Sequence, residues 1–155
     1  MFFSEKEIYK RYQSNIKGNE ILRIGIAIAI FDNKKRLLLE KRSDCGWWGI
    51  PGGGLEIGET IEDCVFRETY EEFGIKLKKK GLRLFNIYSN PKDHRIVQYP
   101  DNRIQLVDFI YTYNDEIGEI TLSDESLDYG FYNRQNIPKF IVPPSIKPLN
   151  ELFKL

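Results

Sequence analysis

Three glutamates, Glu68, Glu71 and Glu72, crowd one short stretch of the segment 51–75, PGGGLEIGETIEDCVFRETYEEFGI, which opens on a glycine-rich turn and closes at Gly74. Thr60 with Asp63 reads as a helix start, and Gly74 as the left-handed residue that ends the helix. At about 100° per residue, Glu68 and Glu72 fall on the same side as Ile61 and Val65, with Glu71 and Cys64 at the edge of that stripe. Like charges at these spacings destabilise a helix by a few tenths of a kcal/mol at the surface, and by more in a partly buried cleft. A single lysine cannot satisfy so many carboxylate oxygens. Mg²⁺ or Mn²⁺, hard cations that take oxygen ligands and keep several waters, can. The competing reading is a solvated acidic helix face.

The spacing decides between them. Gly53, Glu59, Arg67, Glu68, Glu71, Glu72, Gly74 and Ile75 fit the pattern G-x5-E-x7-R-E-U-x-E-E-x-G-U, and on these residues the chain resembles a Nudix hydrolase. Thr69 stands where that family usually has an aliphatic residue. The resemblance implies an α/β fold, an α/β/α sandwich around a mixed β-sheet. It also implies hydrolysis of a diphosphate bond in a nucleoside diphosphate joined to another group, with Mg²⁺ or Mn²⁺ as cofactor. Such metals offset the repulsion between an attacking hydroxide and an anionic phosphorus.

Carried over position by position, Glu68, Glu71 and Glu72 resemble the metal-binding glutamates, and the backbone carbonyl of Gly52 is a further oxygen. Arg67 resembles the arginine that holds a motif glutamate in its rotamer. Glu59 resembles the first motif glutamate, which supports the site or joins the metal cluster, and Glu56 is either a metal-side acid or a brace for the loop. The general base is not fixed by the motif. Glu125, in the late segment LSDESLDYGFYN, is the candidate ahead of Asp124 and Asp128. For substrate binding, Arg23 and Arg42 could hold phosphate, and Trp47 and Tyr88 could stack on a base, although strand aromatics usually belong to a core. His94 reads as an exposed loop side chain, and Pro91 as a weak pointer to ADP-ribose hydrolases.

The elements that must position these groups follow from periodicity. Ser4 and Glu7 make a capping box for a short N-terminal helix running to about Asn15, an extension over residues 1–18 of a single domain spanning 1–155. Residues 22–30 alternate isoleucine and leucine with small or basic residues, a strand with one strongly apolar face and room on the other. After a turn at Asp32, residues 36–42 are expected to return beside it as a hairpin. Further strands are expected over 47–50, 82–90, 103–114, 117–122 and 129–132, with a polar loop between the second and third of these five and a helix over 145–155.

Composition narrows the partners. The chain has 155 residues, 23 basic and 23 acidic, so no global field exists to hold nucleic acid or an anionic membrane. The expected partner is a small-molecule nucleotide, with no nucleic acid and no membrane, and a homodimer stays open. Two cysteines far apart and no apolar leader at the N-terminus point to a cytoplasmic protein. Alternatives to an ADP-ribose-like or sugar-linked substrate are a nucleoside triphosphate of the housecleaning type or, from a different class, a non-catalytic nucleotide-binding sensor.

Overall fold

The computed structural model describes residues 4–11 and 19–155. A short helix, α1 (Glu5–Arg11), precedes four strands, β1 (Asn19–Ile30), β2 (Leu37–Arg42), β3 (Trp48–Gly49) and β4 (Gly52–Gly54). The acidic helix α2 (Ile61–Phe73) follows, then β5 (Leu82–Tyr88), β6 (Ile96–Gln98), β7 (Asn102–Tyr113), β8 (Ser126–Tyr132) and α3 (Pro143–Leu152).

The main sheet runs β4-β1-β7-β5, with β6 sharing the outer edge of β7. β1 and β7 pair in parallel over their full length, from Asn19 with Asn102 to Ile30 with Tyr113, while the other pairs are antiparallel, so the sheet is mixed. Alternation along β1 places the helices. Ile26, Ile28 and Ile30 pack with Cys64, Val65 and Phe73 of α2, whereas Ala27 and Ala29 on the other face pack with Leu149 and Leu152 of α3. The small residues of β1 are thus the seat of a helix, and the α/β/α expectation holds.

Several boundaries differ from expectation. The hairpin of β1 with β2 is corrected: only Phe31 and Leu37 bridge, and β2 lies in a second, antiparallel sheet of order β3-β2-β8. β7 takes one edge of β1 along its length and β4 the other at Gly25–Ala27, while β2 pairs with β3 and β8. No strand forms over 117–122. That segment lies against α2 instead of another strand, with Thr121 N–H bonded to Phe73 O at 2.9 Å and Ser123 N–H to Glu72 O at 3.0 Å. The polar loop contains β6. The last helix begins at Pro143, because a first-turn proline lacks only an N–H that has no partner there anyway. The capping box of Ser4 and Glu7 forms, with bonds of 2.7 and 3.3 Å, and the remainder of the expected helix, at 12–15, lies outside the described residues.

Candidate active site

α2 is fixed at both ends by its own sequence. Thr60 Oγ1 accepts from Asp63 N–H at 3.1 Å and Asp63 Oδ2 accepts from Thr60 N–H at 3.3 Å, while Gly74 adopts φ 67° and closes the helix on Tyr70 O. Thr69 is buried, and its hydroxyl donates to Val65 O at 2.7 Å, so the unusual motif residue leaves no polar group unsatisfied. The helix therefore presents its acids in a set orientation beside β4.

A cleft of about 600 Å³ opens there, lined by Gly52, Gly53 and Gly54, by Glu68, Glu71 and Glu72, and by Glu125 from the turn before β8. Arg23 and Arg42 also line it. Gly53 permits a close approach: a Cβ on this residue would overlap the Glu68 carboxylate. Arg67 organises the acids, reaching Glu59 at 2.7 and 2.9 Å, Glu68 at 2.8 Å, Glu71 at 3.2 Å and the Gly54 carbonyl at 3.1 Å. Its hydrogen bonds hold the Glu59 carboxyl down at about 2. Glu56 sits at the rim, 3.7 Å from Arg67, and its N–H braces Glu59 at 2.8 Å.

Burial acts in the opposite direction on the deeper acids. Glu72 is 5% exposed and Glu40 of β2 is 3% exposed. Desolvation raises both carboxyls, and for Glu72 the neighbouring charges of Glu40, Glu68 and Glu125 raise it further. Glu68 is raised for the same first reason, opposed by Arg67. Glu40 accepts from Ser126 Oγ–H at 2.6 Å, but Glu72 Oε2 has no hydrogen-bond partner among the described residues. Such an orphaned buried oxygen, with carboxylates around it, fits a hard divalent cation. Among the described residues no three acidic, histidine or cysteine side chains already converge on one point, and Arg67 bonds both Glu68 and Glu71.

Of the expected site residues, Gly52, Glu56, Arg67, Glu68, Glu71, Glu72, Glu125, Arg23 and Arg42 come together at this cleft. Glu59 stands behind it on Arg67. Trp47 and Tyr88 require correction, since neither lines the cleft. Trp47 is buried with Ile8, Cys45 and Val142, its ring 5.1 Å from that of Phe140, and Tyr88 is buried with its hydroxyl donating to Glu151 at 2.6 Å. Both aromatics went to the core, where they bury apolar area. His94 is half-buried, edge-on to Tyr9 at 6.0 Å.

Glu40, Arg95 and Asp108 are among the cleft residues that went unread in the sequence. Two of them carried a signal. Glu40 follows Leu38 on the core-facing side of β2, and Asp108 falls between Leu106 and Ile110 on one face of β7, so each is an acid at an apolar position of a strand. Arg95, in a loop, carried none.

The fold and the acid-lined cleft define a Nudix-type hydrolase, and the comparisons agree. The NUDIX domain family model matches residues 21–151, and the chain belongs to the Nudix family. It is a Nudix hydrolase, an enzyme class that acts on phosphorus-containing anhydrides and generally uses a divalent metal. An ADP-ribose pyrophosphatase of Methanocaldococcus jannaschii is 30% identical over 142 residues, 88% of this chain and 77% of that protein. The nucleoside triphosphatase NudI of Escherichia fergusonii is 31% identical over 123 residues, 74% of this chain and 85% of that protein. Among solved structures, the MutT Nudix hydrolase of Burkholderia pseudomallei superposes with a TM-score of 0.66 at 25% identity, covering 83% of this chain and 96% of that one. The Nudix domain of Shewanella oneidensis NrtR, solved with ADP ribose, has a TM-score of 0.65 and covers 98% of both chains; at 16% identity it bears on the fold alone. Among the described residues no helix is long and apolar enough to cross a membrane.

Proposed function

We propose that this chain is an Mg²⁺- or Mn²⁺-dependent pyrophosphohydrolase that cleaves the diphosphate linkage of a small nucleoside diphosphate derivative, ADP-ribose-like or a nucleotide sugar. The observation that carries the reading is the buried Glu72, its Oε2 without a hydrogen-bond partner, beside the equally buried Glu40 and within reach of Glu68 and Glu125. Two ionised carboxylates at that depth cost several kcal/mol, by order of magnitude, unless a proton or a cation joins them, and a divalent ion can replace the proton. Glu68, Glu71, Glu72 and the Gly52 carbonyl would hold a divalent ion. Bound there, it would supply charge neutralisation for linked phosphates and Lewis acidity toward water.

The protein's own groups do the rest. Arg67 positions Glu68 and Glu71 through its fork of donors. Arg23, its guanidinium lying over Gly54, and Arg42, tied to Asp44 at 2.9 and 3.0 Å, face the cleft as holders of phosphate oxygens. Glu125 takes the proton of the attacking water. Its backbone is pinned for this by Ser43, whose N–H and Oγ–H both donate to Glu125 O, at 3.0 and 2.8 Å, while the side chain stays exposed to the cleft. The similarity to an ADP-ribose pyrophosphatase along 88% of the chain supports the substrate class.

A second reading, hydrolysis of a nucleoside triphosphate, is favoured by the similarity to NudI, of which the chain covers 85%. Products separate the two. ADP-ribose gives AMP and ribose 5-phosphate, whereas a triphosphate cut between its α- and β-phosphates gives the monophosphate and pyrophosphate. Steady-state kcat/KM across both panels, with Mg²⁺ or Mn²⁺ and with chelator, tests the proposal. The highest value is expected on a nucleoside diphosphate derivative, and a chelator-resistant rate or a clear preference for triphosphates overturns it.

A further inference from the structure

Beyond the glutamates the cleft continues to a second end, built from β1, β6 and β7. The parallel register sets Arg23 beside Leu106 and Gly25 beside Asp108, so these four residues share one sheet face. Ile104 and Val97, paired across β6 and β7, extend that face with apolar surface. Asp108 interrupts it with a charge.

Arg95 explains how the charge is held. Its side chain is 1% exposed, and it is fixed by Nη1 donating to Pro144 O at 2.8 Å, by the Tyr88 ring 5.2 Å away, and by Asp108 Oδ2, 3.5 Å from its Nε. The other oxygen, Oδ1, lies over Gly25, where a Cβ would come within 2.7 Å. Asp108 remains 18% exposed and lines the cleft. Stability alone does not call for such a pair, since an apolar replacement of a buried ion pair is often neutral or better. A braced acceptor at the mouth of an apolar slot is instead the arrangement that reads one donor on a flat ring.

We propose that Asp108, held by Arg95, accepts a hydrogen bond from the exocyclic amine of an adenine base whose ring packs on Val97, Ile104 and Leu106. This deepens the functional reading above, because it rests on the cleft taking a nucleotide. Arg23 lies between this slot and the glutamates, over Gly54, and so orders the ligand as base, phosphates and metal along the cleft. A base fits the slot better than a ribose, which would set hydroxyls against apolar walls.

Equilibrium binding, which needs no turnover, tests this. Adenosine 5′-monophosphate is compared with purine riboside 5′-monophosphate, which lacks only the amine, and with inosine 5′-monophosphate, which carries an oxygen in its place. Wild-type protein is expected to bind the adenosine compound roughly tenfold or more tightly than either, the range of a hydrogen bond to a charged group. In Asp108→Asn, Arg95 turns the amide oxygen toward itself and the amide N–H₂ into the slot, so preference shifts to the inosine compound. Gly25→Ala, which displaces Oδ1 without changing any charge, is expected to lose the preference as well. Equal wild-type binding of all three, or an unchanged adenosine preference in Asp108→Asn, overturns the proposal. Selective binding by a protein that hydrolyses no nucleotide would sink the hydrolase reading and leave this one standing.

Discussion

Arg67 Nη2 stands 2.7 Å from Glu59 Oε1 and its Nε 2.9 Å from Glu59 Oε2, a two-point clamp between the helix and the glycine loop. The clamp leaves Nη1 to Glu68 and Glu71, so one guanidinium sets the positions of the cleft acids. Arg67→Lys keeps the charge but not the planar fork. It is expected to lower kcat by roughly 10- to 100-fold and to cost about 2 kcal/mol of stability. Denaturant melts alongside steady-state kinetics check both; a fully active lysine variant would remove Arg67 from any positioning role.

Glu72→Gln should uncouple stability from activity. The carboxyl is raised above its ordinary value of 4.5, so in metal-free protein the folded state holds a proton that the unfolded state gives up. Stability is therefore expected to fall as pH rises above about 4.5, and to keep falling until the folded carboxyl ionises. In Glu72→Gln that slope flattens and the metal-free Tm at alkaline pH rises, while divalent-dependent turnover is lost. Thermal melts with chelator between pH 5 and 9 read the slope; a variant less stable than wild type at high pH contradicts the assignment.

Added Mg²⁺ or Mn²⁺ should raise the Tm of wild-type protein more at high pH than at low pH, because the ion replaces the proton on the buried acids. Glu71→Gln and Glu72→Gln should both shrink the shift. Equal shifts in wild type and variants would place the ion elsewhere.

Glu125→Gln removes a carboxylate that is exposed to the cleft but anchored through Ser43. Turnover is expected to drop by roughly 10²-fold or more, with Mn²⁺ binding, followed by electron paramagnetic resonance, nearly unchanged. An undiminished kcat would take Glu125 out of the mechanism.

Gly53→Ala places its Cβ into the Glu68 carboxylate, the movable end of a side chain. Activity is expected to fall sharply with little loss of stability. Gly52→Ala instead meets the Ile26 backbone, which cannot swing away, so it should lose stability too. Paired melts and assays of the two variants distinguish a displaced ligand from a strained strand.

Local chemistry was legible in the chain itself: the Thr60 cap, the Gly74 stop, the period of β1 and the identity of the motif acids all depend on neighbours within a turn or two of sequence. Those features fixed the kind of protein and the wall that carries its glutamates. Partners distant in sequence were decided only by the fold. The β1–β7 register brings Gly25 to Asp108, the second sheet brings Glu40 to Ser126 and Glu72, and Arg95 finds Asp108 because β6 folds back on β7. Trp47 and Tyr88 went inward for the same reason that Glu40 did not go outward: which side of a segment is covered depends on what packs against it, and that is set by the fold.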